Sequence, residues 1–351
     1  MRFLLYGANG YTGELIAREA VARGLRPVLA GRSAPALARL AGELGLDHRV
    51  ARVDDASALD RAIGDASLVI NCAGPFSQTA APVVDACIRR RAHYLDITGE
   101  MAVFESLATR GSEAERAGVM LLPGVGFDVV PSDCLAAHVA RRLPTATHLA
   151  IAVQGSTRMS RGTALTSLEG LAAGRGSGAV RRGGRIVRVP PAWRSRVVDL
   201  GGGAVRVTTM PWGDVATAFH STGIRDVEVY MAIPAALRRV LRYGRPLLSA
   251  FAWAPVRRWL ESRARGGSPG PTADQRRRGW SRFWAEARDD RGTSATARLF
   301  GPEAYELTAR AALECVRRVL DGQARAGYQT PSTAYGPDLV LALEGVRRED
   351  L

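Results

Sequence analysis

Gly7, Gly10 and Gly13, in the run Gly7-Ala8-Asn9-Gly10-Tyr11-Thr12-Gly13, have the spacing of a loop that cradles a pyrophosphate. The first glycine suits a tight turn. The second lets the backbone approach an anion, and the third lets the following helix pack close to the strand before it. Downstream, Gly31-Arg32-Ser33 offers a guanidinium and a hydroxyl but no carboxylate. A carboxylate there would hold a ribose 2′-hydroxyl. Arg32 pairs instead with a 2′-phosphate, and Ser33 can donate a further hydrogen bond. These residues predict NADPH rather than NADH. The Gly-x-x-Gly-x-x-Gly spacing departs from the commoner Gly-x-Gly-x-x-Gly, so the loop draws its weight from its flanks.

Those flanks are the elements such a loop needs. Residues 2–6 read as a short strand and residues 14–23 as a helix, with Leu15, Ile16, Ala20 and Val21 on one side and Gly24 as its stop. Residues 27–30 form the second strand. Strands are then expected at 49–53, 67–71, 93–97 and 119–122, with helices at 80–90 and 103–117 between them. This alternation predicts a parallel, doubly wound Rossmann sheet. Ligands of such sheets lie beyond the carboxyl ends of the strands. The loops after Tyr6, Ala30, Val53, Asn71 and Ile97 are therefore the ones that matter, and Asp54 joins the expected cofactor contacts.

Two further loops carry candidate chemistry. Asn71-Cys72-Ala73-Gly74-Pro75-Phe76 ends the fourth strand, where nicotinamide-ribose contacts arise. Gly74-Pro75 lets the backbone pass close to the cofactor and Phe76 can wall its ring; the plainer reading is a turn that stops a strand. Tyr94, Asp96, Glu100 and Asp128 lie at strand ends or at the crossover to a second domain, and are the candidate proton donors. Each has an equal structural reading as a cap or an interdomain hydrogen bond, and Glu100 could simply complement the next helix dipole. Tyr335 joins them if the tail folds back.

Composition narrows the chemistry. The 351 residues carry 48 basic side chains and a net charge of +14, and every basic residue is arginine, because the sequence has no lysine. Lysine-linked Schiff-base chemistry and a Tyr-x-x-x-Lys pair are thereby excluded. Cys72, Cys87, Cys134 and Cys315 form no Cys-x-x-Cys pair and the five histidines show no metal spacing, so no metal is expected. The opening Met1-Arg2 leads straight into a strand without room for a signal peptide, which predicts a cytoplasmic, reducing location. The positive charge suits an anionic dinucleotide and an acidic partner. No nucleic acid is expected, since the arginines are scattered and no nucleic-acid-binding motif is found.

After Gly124-Val125-Gly126-Phe127-Asp128 the pattern changes. Ser132 is expected to cap a helix over 133–143, residues 226–233 alternate with Val227, Val229, Met231 and Ile233 inward, and 280–288 with 293–300 read as a hairpin. A long helix is expected over 302–320, and the tail 330–337 leads into a last short helix. Residues 235–260 are apolar but interrupted by arginines, too short to span a bilayer yet suited to an anionic membrane surface, a greasy substrate or ordinary packing. The expected divisions are 1–127, a nucleotide-binding domain; 128–328, an α+β domain with a mixed or antiparallel sheet; and 329–351, a segment returning to the first.

Taken together, these motifs resemble the saccharopine dehydrogenase-like oxidoreductases, and within them the trans-acting enoyl reductases. The resemblance rests on Gly7 to Gly13, Ala30-Gly31-Arg32-Ser33, Asn71 to Phe76, Tyr94-Leu95-Asp96-Ile97-Thr98-Gly99-Glu100, Gly126-Phe127-Asp128-Val129-Val130-Pro131-Ser132-Asp133, Ser160-Arg161-Gly162-Thr163, Gly270 to Arg276 and Thr330-Pro331-Ser332. It implies a Rossmann domain, an α+β domain and an NADPH-dependent reduction of an unsaturated acyl chain on a polyketide or lipid synthase. An acidic acyl carrier protein would then be a partner, and a homodimer or peripheral membrane contact is compatible with it. True saccharopine dehydrogenases use a lysine in proton transfer that this chain lacks. An imine substrate protonated by a carboxylic acid is the enzymatic alternative, and a non-catalytic, membrane-associated NADPH-binding protein is the other.

Overall fold

In the computed structural model, residues 2–156, 160–163, 177–244 and 269–351 are described, together with 258–259, 262–263 and 266. They form two compact units. The first holds Met1–Val130, Tyr305–Tyr335 and Ala342–Glu344; the second holds Pro131–Ala304, Gly336–Leu341 and Gly345–Leu351.

The first unit is a parallel sheet with helices between its strands. Strands β1 (Phe3–Tyr6), β2 (Val28–Gly31), β3 (His48–Val50), β4 (Leu68–Asn71), β5 (His93–Asp96) and β6 (Met120–Leu122) alternate with α1 (Tyr11–Ala22), α2 (Ala34–Leu44), α3 (Ala56–Ile63), α4 (Phe76–Arg90), α5 (Met101–Thr109) and α6 (Gly111–Ala117). A seventh strand, β15 (Gly327–Tyr328), closes the order β15-β6-β5-β4-β1-β2-β3. β1, β2 and β4 are buried along their whole length, as strands covered by helices on both faces must be. The order reverses between β1 and β4, which puts the loops after Tyr6 and Asn71 side by side.

Several elements differ from the expected ones. Helix α4 begins at Phe76, four residues early, because Glu100 supplies its N-terminus with an acceptor from a distant loop. The single helix expected over 103–117 is two, separated at Arg110. Ser132 lies inside α7 (Val130–Arg142) rather than capping it. The domain limits also move. The chain returns to the first unit at Tyr305, not at 329, and the Ala304–Leu320 helix belongs there almost entirely. Its amphipathic pattern announces a buried face but not which sheet that face meets. The last strand, β16 (Arg347–Asp350), pairs with the second sheet instead of the first.

The second unit is a mixed sheet in the order β10-β11-β12-β7-β13-β14-β16. β7 (His148–Gly155) runs parallel to β12 (Asp226–Met231) and antiparallel to β13 (Trp280–Arg288). β13 and β14 (Ser294–Pro302) form the expected hairpin. β10 (Ser195–Asp199) and β11 (Ala204–Thr209) form one edge, and the hairpin β8 (Gly178–Arg182) with β9 (Arg185–Val189) hangs from β12. This sheet curls over itself: Arg196 of β10 pairs with Glu286 of β13 at 3.0 Å, and Asp199 with Arg298 of β14 at 3.0 Å. Ala150 and Ala152 leave room for the bend, and Val198, Leu200, Val207, Tyr230 and Trp284 fill it. Tyr230 is consequently buried on the side that the alternation of β12 predicts to be open.

The Ala235–Tyr243 helix buries no residue; Leu237, Val240 and Tyr243 are exposed among Arg238, Arg239 and Arg242. Most of the rest of 235–260 lies outside the described residues. No described helix is long and apolar enough to cross a membrane.

Candidate functional site

The glycine loop is built by close approach. Gly7 has a left-handed backbone with φ 78°, and a Cβ there would meet the Ala73 nitrogen at 2.6 Å. A Cβ at Gly13 would lie 2.4 Å from the Gly7 carbonyl. The two outer glycines thus let the loop after β1 touch both the loop after β4 and the first turn of α1. The Gly7 and Ala8 N–H groups donate to the Ala30 carbonyl at 2.8 and 3.2 Å, tying the loop to β2. Asn9 and Gly10 are exposed, Tyr11 and Thr12 half-buried, and no side chain caps α1. An uncapped helix start behind an exposed glycine turn fits a pyrophosphate.

At the end of β2, Arg32 is exposed and Ser33 half-buried. Neither side chain makes a hydrogen bond or ion pair with a described residue. Ser33 is the N-cap of α2 without bonding it, and the first turn of α2 carries no acidic residue. A guanidinium, a hydroxyl and a positive helix end are therefore adjacent, and no acidic residue of the helix's first turn answers them. Beside them the exposed Arg52 and Asp54 pair at 2.8 Å. The Tyr6 hydroxyl bonds the Ala51 carbonyl at 3.2 Å; burial raises its pKa, and the Arg32 charge opposes that. Asp54 thus stands at the expected edge, already engaged with Arg52.

The loop after β4 rests on a buried polar chain. Asn71 accepts from the Ala73 N–H at 3.0 Å and donates to the Tyr94 and Thr79 hydroxyls, each at 3.3 Å. Thr79 donates to the Ala73 carbonyl at 2.6 Å. Tyr94 donates to Asp96 Oδ2 at 2.7 Å, while Asp96 Oδ1 accepts from the Thr98 and Gly124 N–H groups at 2.9 Å. Asn71, Tyr94 and Asp96 have no exposed surface. Burial pushes the Tyr94 hydroxyl well above its ordinary value and Asp96 up to about 6, against the pull of its three donors. Cys72 and Ala73 are half-buried, and burial pushes the Cys72 thiol up. Gly74 is exposed and Pro75 half-buried, whereas Phe76 is packed into the hydrophobic core.

Glu100 serves a different helix from the one its position suggests. Its two oxygens accept from the Phe76 and Ser77 N–H groups, both at 2.8 Å, so it neutralises the start of α4 and not that of α5. Sequence proximity favours α5; only the fold brings α4 alongside.

Asp128 is half-buried, and no described donor reaches its carboxyl. It lies against Gly99, where a Cβ would come within 2.7 Å of Asp128 Oδ2. Burial without donors pushes it up to about 6. Its loop is fixed by the Phe127 N–H on Thr308 Oγ1 at 3.1 Å and the Val130 N–H on the Gly126 carbonyl at 2.9 Å. One turn before Thr308, the Tyr305 ring meets Tyr11 edge-on at 5.0 Å. A single helix start therefore braces both the nucleotide loop and the Asp128 loop. Tyr305 and Thr308 escape a sequence reading, because no local motif marks residues whose partners, Tyr11 and Phe127, lie so far away in the chain.

Tyr335 returns to the first unit but stacks under Arg318, 5.2 Å from its guanidinium, about 15 Å along the helix from Thr308. A hollow of about 330 Å³ lined by Arg2, Arg26 and Asp47 lies at the opposite, amino-terminal edge of the sheet, away from these loops. Among the described residues no cluster of His, Cys, Asp and Glu could hold a metal ion.

Comparison with known proteins bears on this site. A family model of the saccharopine dehydrogenase NADP-binding domain matches residues 3–122. A trans-acting enoyl reductase of Mycobacterium leprae is 34% identical over 151 residues, covering 40% of this chain and 35% of that protein. A saccharopine dehydrogenase-like oxidoreductase of Homo sapiens is 29% identical over 152 residues, covering 37% and 35%. The matched stretch thus spans 35% of the length of these curated relatives. Among solved structures, the apo histidine-tagged saccharopine dehydrogenase (L-Glu forming) from Saccharomyces cerevisiae aligns over 100% of this chain and 99% of its own, with a TM-score of 0.66 and 14% identity, a likeness of fold.

Proposed function

We propose that this chain, whose residues 3–122 match the saccharopine dehydrogenase NADP-binding domain, is an NADPH-dependent reductase of α,β-unsaturated acyl thioesters. The observation that carries the cofactor choice is the unengaged pair Arg32 and Ser33 at the start of α2, with no carboxylate at the end of β2. Gly7 to Gly13 would hold the pyrophosphate, and Asn71 to Pro75 would flank the nicotinamide ribose. When bound, the reduced dinucleotide supplies a hydride.

The substrate class draws support from the Mycobacterium leprae relative, named as a trans-acting enoyl reductase, and from the absence of lysine. The net charge of +14 suits a substrate delivered on an acidic acyl carrier protein. Tyr94, Asp96 and Glu100 act in this reading as positioning residues: they hold the loops after β4 and β5 through bonds to one another and to the backbone.

The trial is NADPH oxidation with enoyl thioesters, free and carrier-bound. Consumption of NADPH with formation of the saturated thioester is the expected result. No oxidation with any enoyl thioester, alongside turnover of a keto acid plus amine, would replace this reading with C–N reduction, the one favoured by the relatives named for saccharopine dehydrogenase.

A further inference from the structure

Reduction of a conjugated C=C bond needs a proton as well as a hydride. Of the acidic groups around the nicotinamide loops, Tyr94, Asp96 and Glu100 spend their polar atoms on the protein itself. Asp128 does not: no described donor or cation engages its carboxyl, and solvent reaches it. We propose that Asp128 is the proton donor of the reduction, a role that rests on the reductase reading above.

Three features suit it. Gly99 leaves the space that the Asp128 carboxyl occupies. Thr308 and Gly126 fix the loop backbone on either side, so the carboxyl is held without being hydrogen-bonded. Burial favours the neutral acid at Asp128, whereas Asp96 and Glu100, on either side of Gly99 in the chain, are committed to N–H and O–H donors. A half-buried carboxyl without a compensating donor holds its proton to a higher pH than an exposed one.

The step balances. Hydride adds at the β-carbon, and the displaced π pair passes toward the thioester carbonyl. That pair then forms the α-carbon–hydrogen bond as the Asp128 O–H bond breaks. The carboxylate left behind takes a proton from water, so one NADPH and one proton are consumed for each saturated product.

The test uses the full chain with Asp128→Asn and Asp128→Ala. Asp128→Asn is expected to bind NADPH within about twofold of the wild type and to reduce the enoyl thioester at least ~100-fold more slowly. Asp128→Ala is expected to regain rate when acetate is added. A readout free of turnover is the infrared titration of the cofactor-free protein, in which a carboxyl with a midpoint near 6 should be lost in Asp128→Asn. Wild-type turnover with an equally active Asp128→Asn overturns the donor role and leaves the reductase reading standing. Absence of turnover in the wild type, with NADPH bound, overturns both.

Discussion

Asp96 and Asp128 belong to the same sheet edge and burial pushes both carboxyls up to about 6, yet their surroundings are opposite. Asp96 sits wholly inside, with the Tyr94 hydroxyl and the Thr98 and Gly124 N–H groups on its oxygens. Asp128 meets solvent on one side and Gly99 on the other, with no donor. A displaced pKa alone therefore says nothing of role. The bonding around the carboxyl separates a group that holds loops in place from one able to exchange a proton.

The contrast can be pressed hardest at Asp96. Asp96→Ala leaves two buried N–H groups and the Tyr94 hydroxyl without their acceptor, at a cost on the order of 3–5 kcal/mol. Urea unfolding of the variant should show a collapse in stability; a loss below ~1 kcal/mol would remove Asp96 from its structural role.

Asp128→Asn should move the other way. Replacing an unbonded half-buried carboxylate by a neutral amide is expected to stabilise the protein at pH 7 by on the order of 1–3 kcal/mol. The sign follows from proton linkage. Between the ordinary carboxylate value of 3.8 and about 6, the folded state keeps a proton that the unfolded state has lost, so wild-type stability falls as pH rises through that window and levels off above it. The variant's advantage should be small near pH 4 and full above pH 6. An advantage independent of pH would show that Asp128 is ionised throughout.

Glu100→Gln should be the mildest of the three. The amide keeps one oxygen for the two N–H groups of α4, turns an NH2 toward the other and loses its charge at the helix start, a cost of about 0.5–1.5 kcal/mol measurable as a lower midpoint of unfolding. An unchanged midpoint would mean that its bonds to Phe76 and Ser77 add nothing.

The same contrast shows what a sequence can and cannot announce. Gly7, Gly13, Arg32 and Ser33 are legible because a phosphate loop is a local device, with strand, turn and helix contiguous. The parallel sheet was legible for the same reason, each strand being followed by its helix. The distant partners were not, since only the order of the strands brings Gly124 to Asp96 and Phe76 and Ser77 to Glu100. Thr308 and Tyr305 lie beyond the second unit in the chain, and no periodicity says that their helix returns to brace Phe127 and Tyr11. The curl of the second sheet depends on Ala150 and Ala152, whose small size reads as nothing in particular until Tyr230 and Trp284 close over them.

The most direct test of the account is calorimetric titration of the cofactor-free protein with NADPH and with NADH, repeated on Arg32→Ala. Loss of a charge-assisted phosphate contact should weaken NADPH by about 1.5–3 kcal/mol, at least tenfold in Kd, and leave NADH nearly unchanged. Equal affinity of the wild type for the two dinucleotides, or equal weakening of both in the variant, would contradict the role given to Arg32.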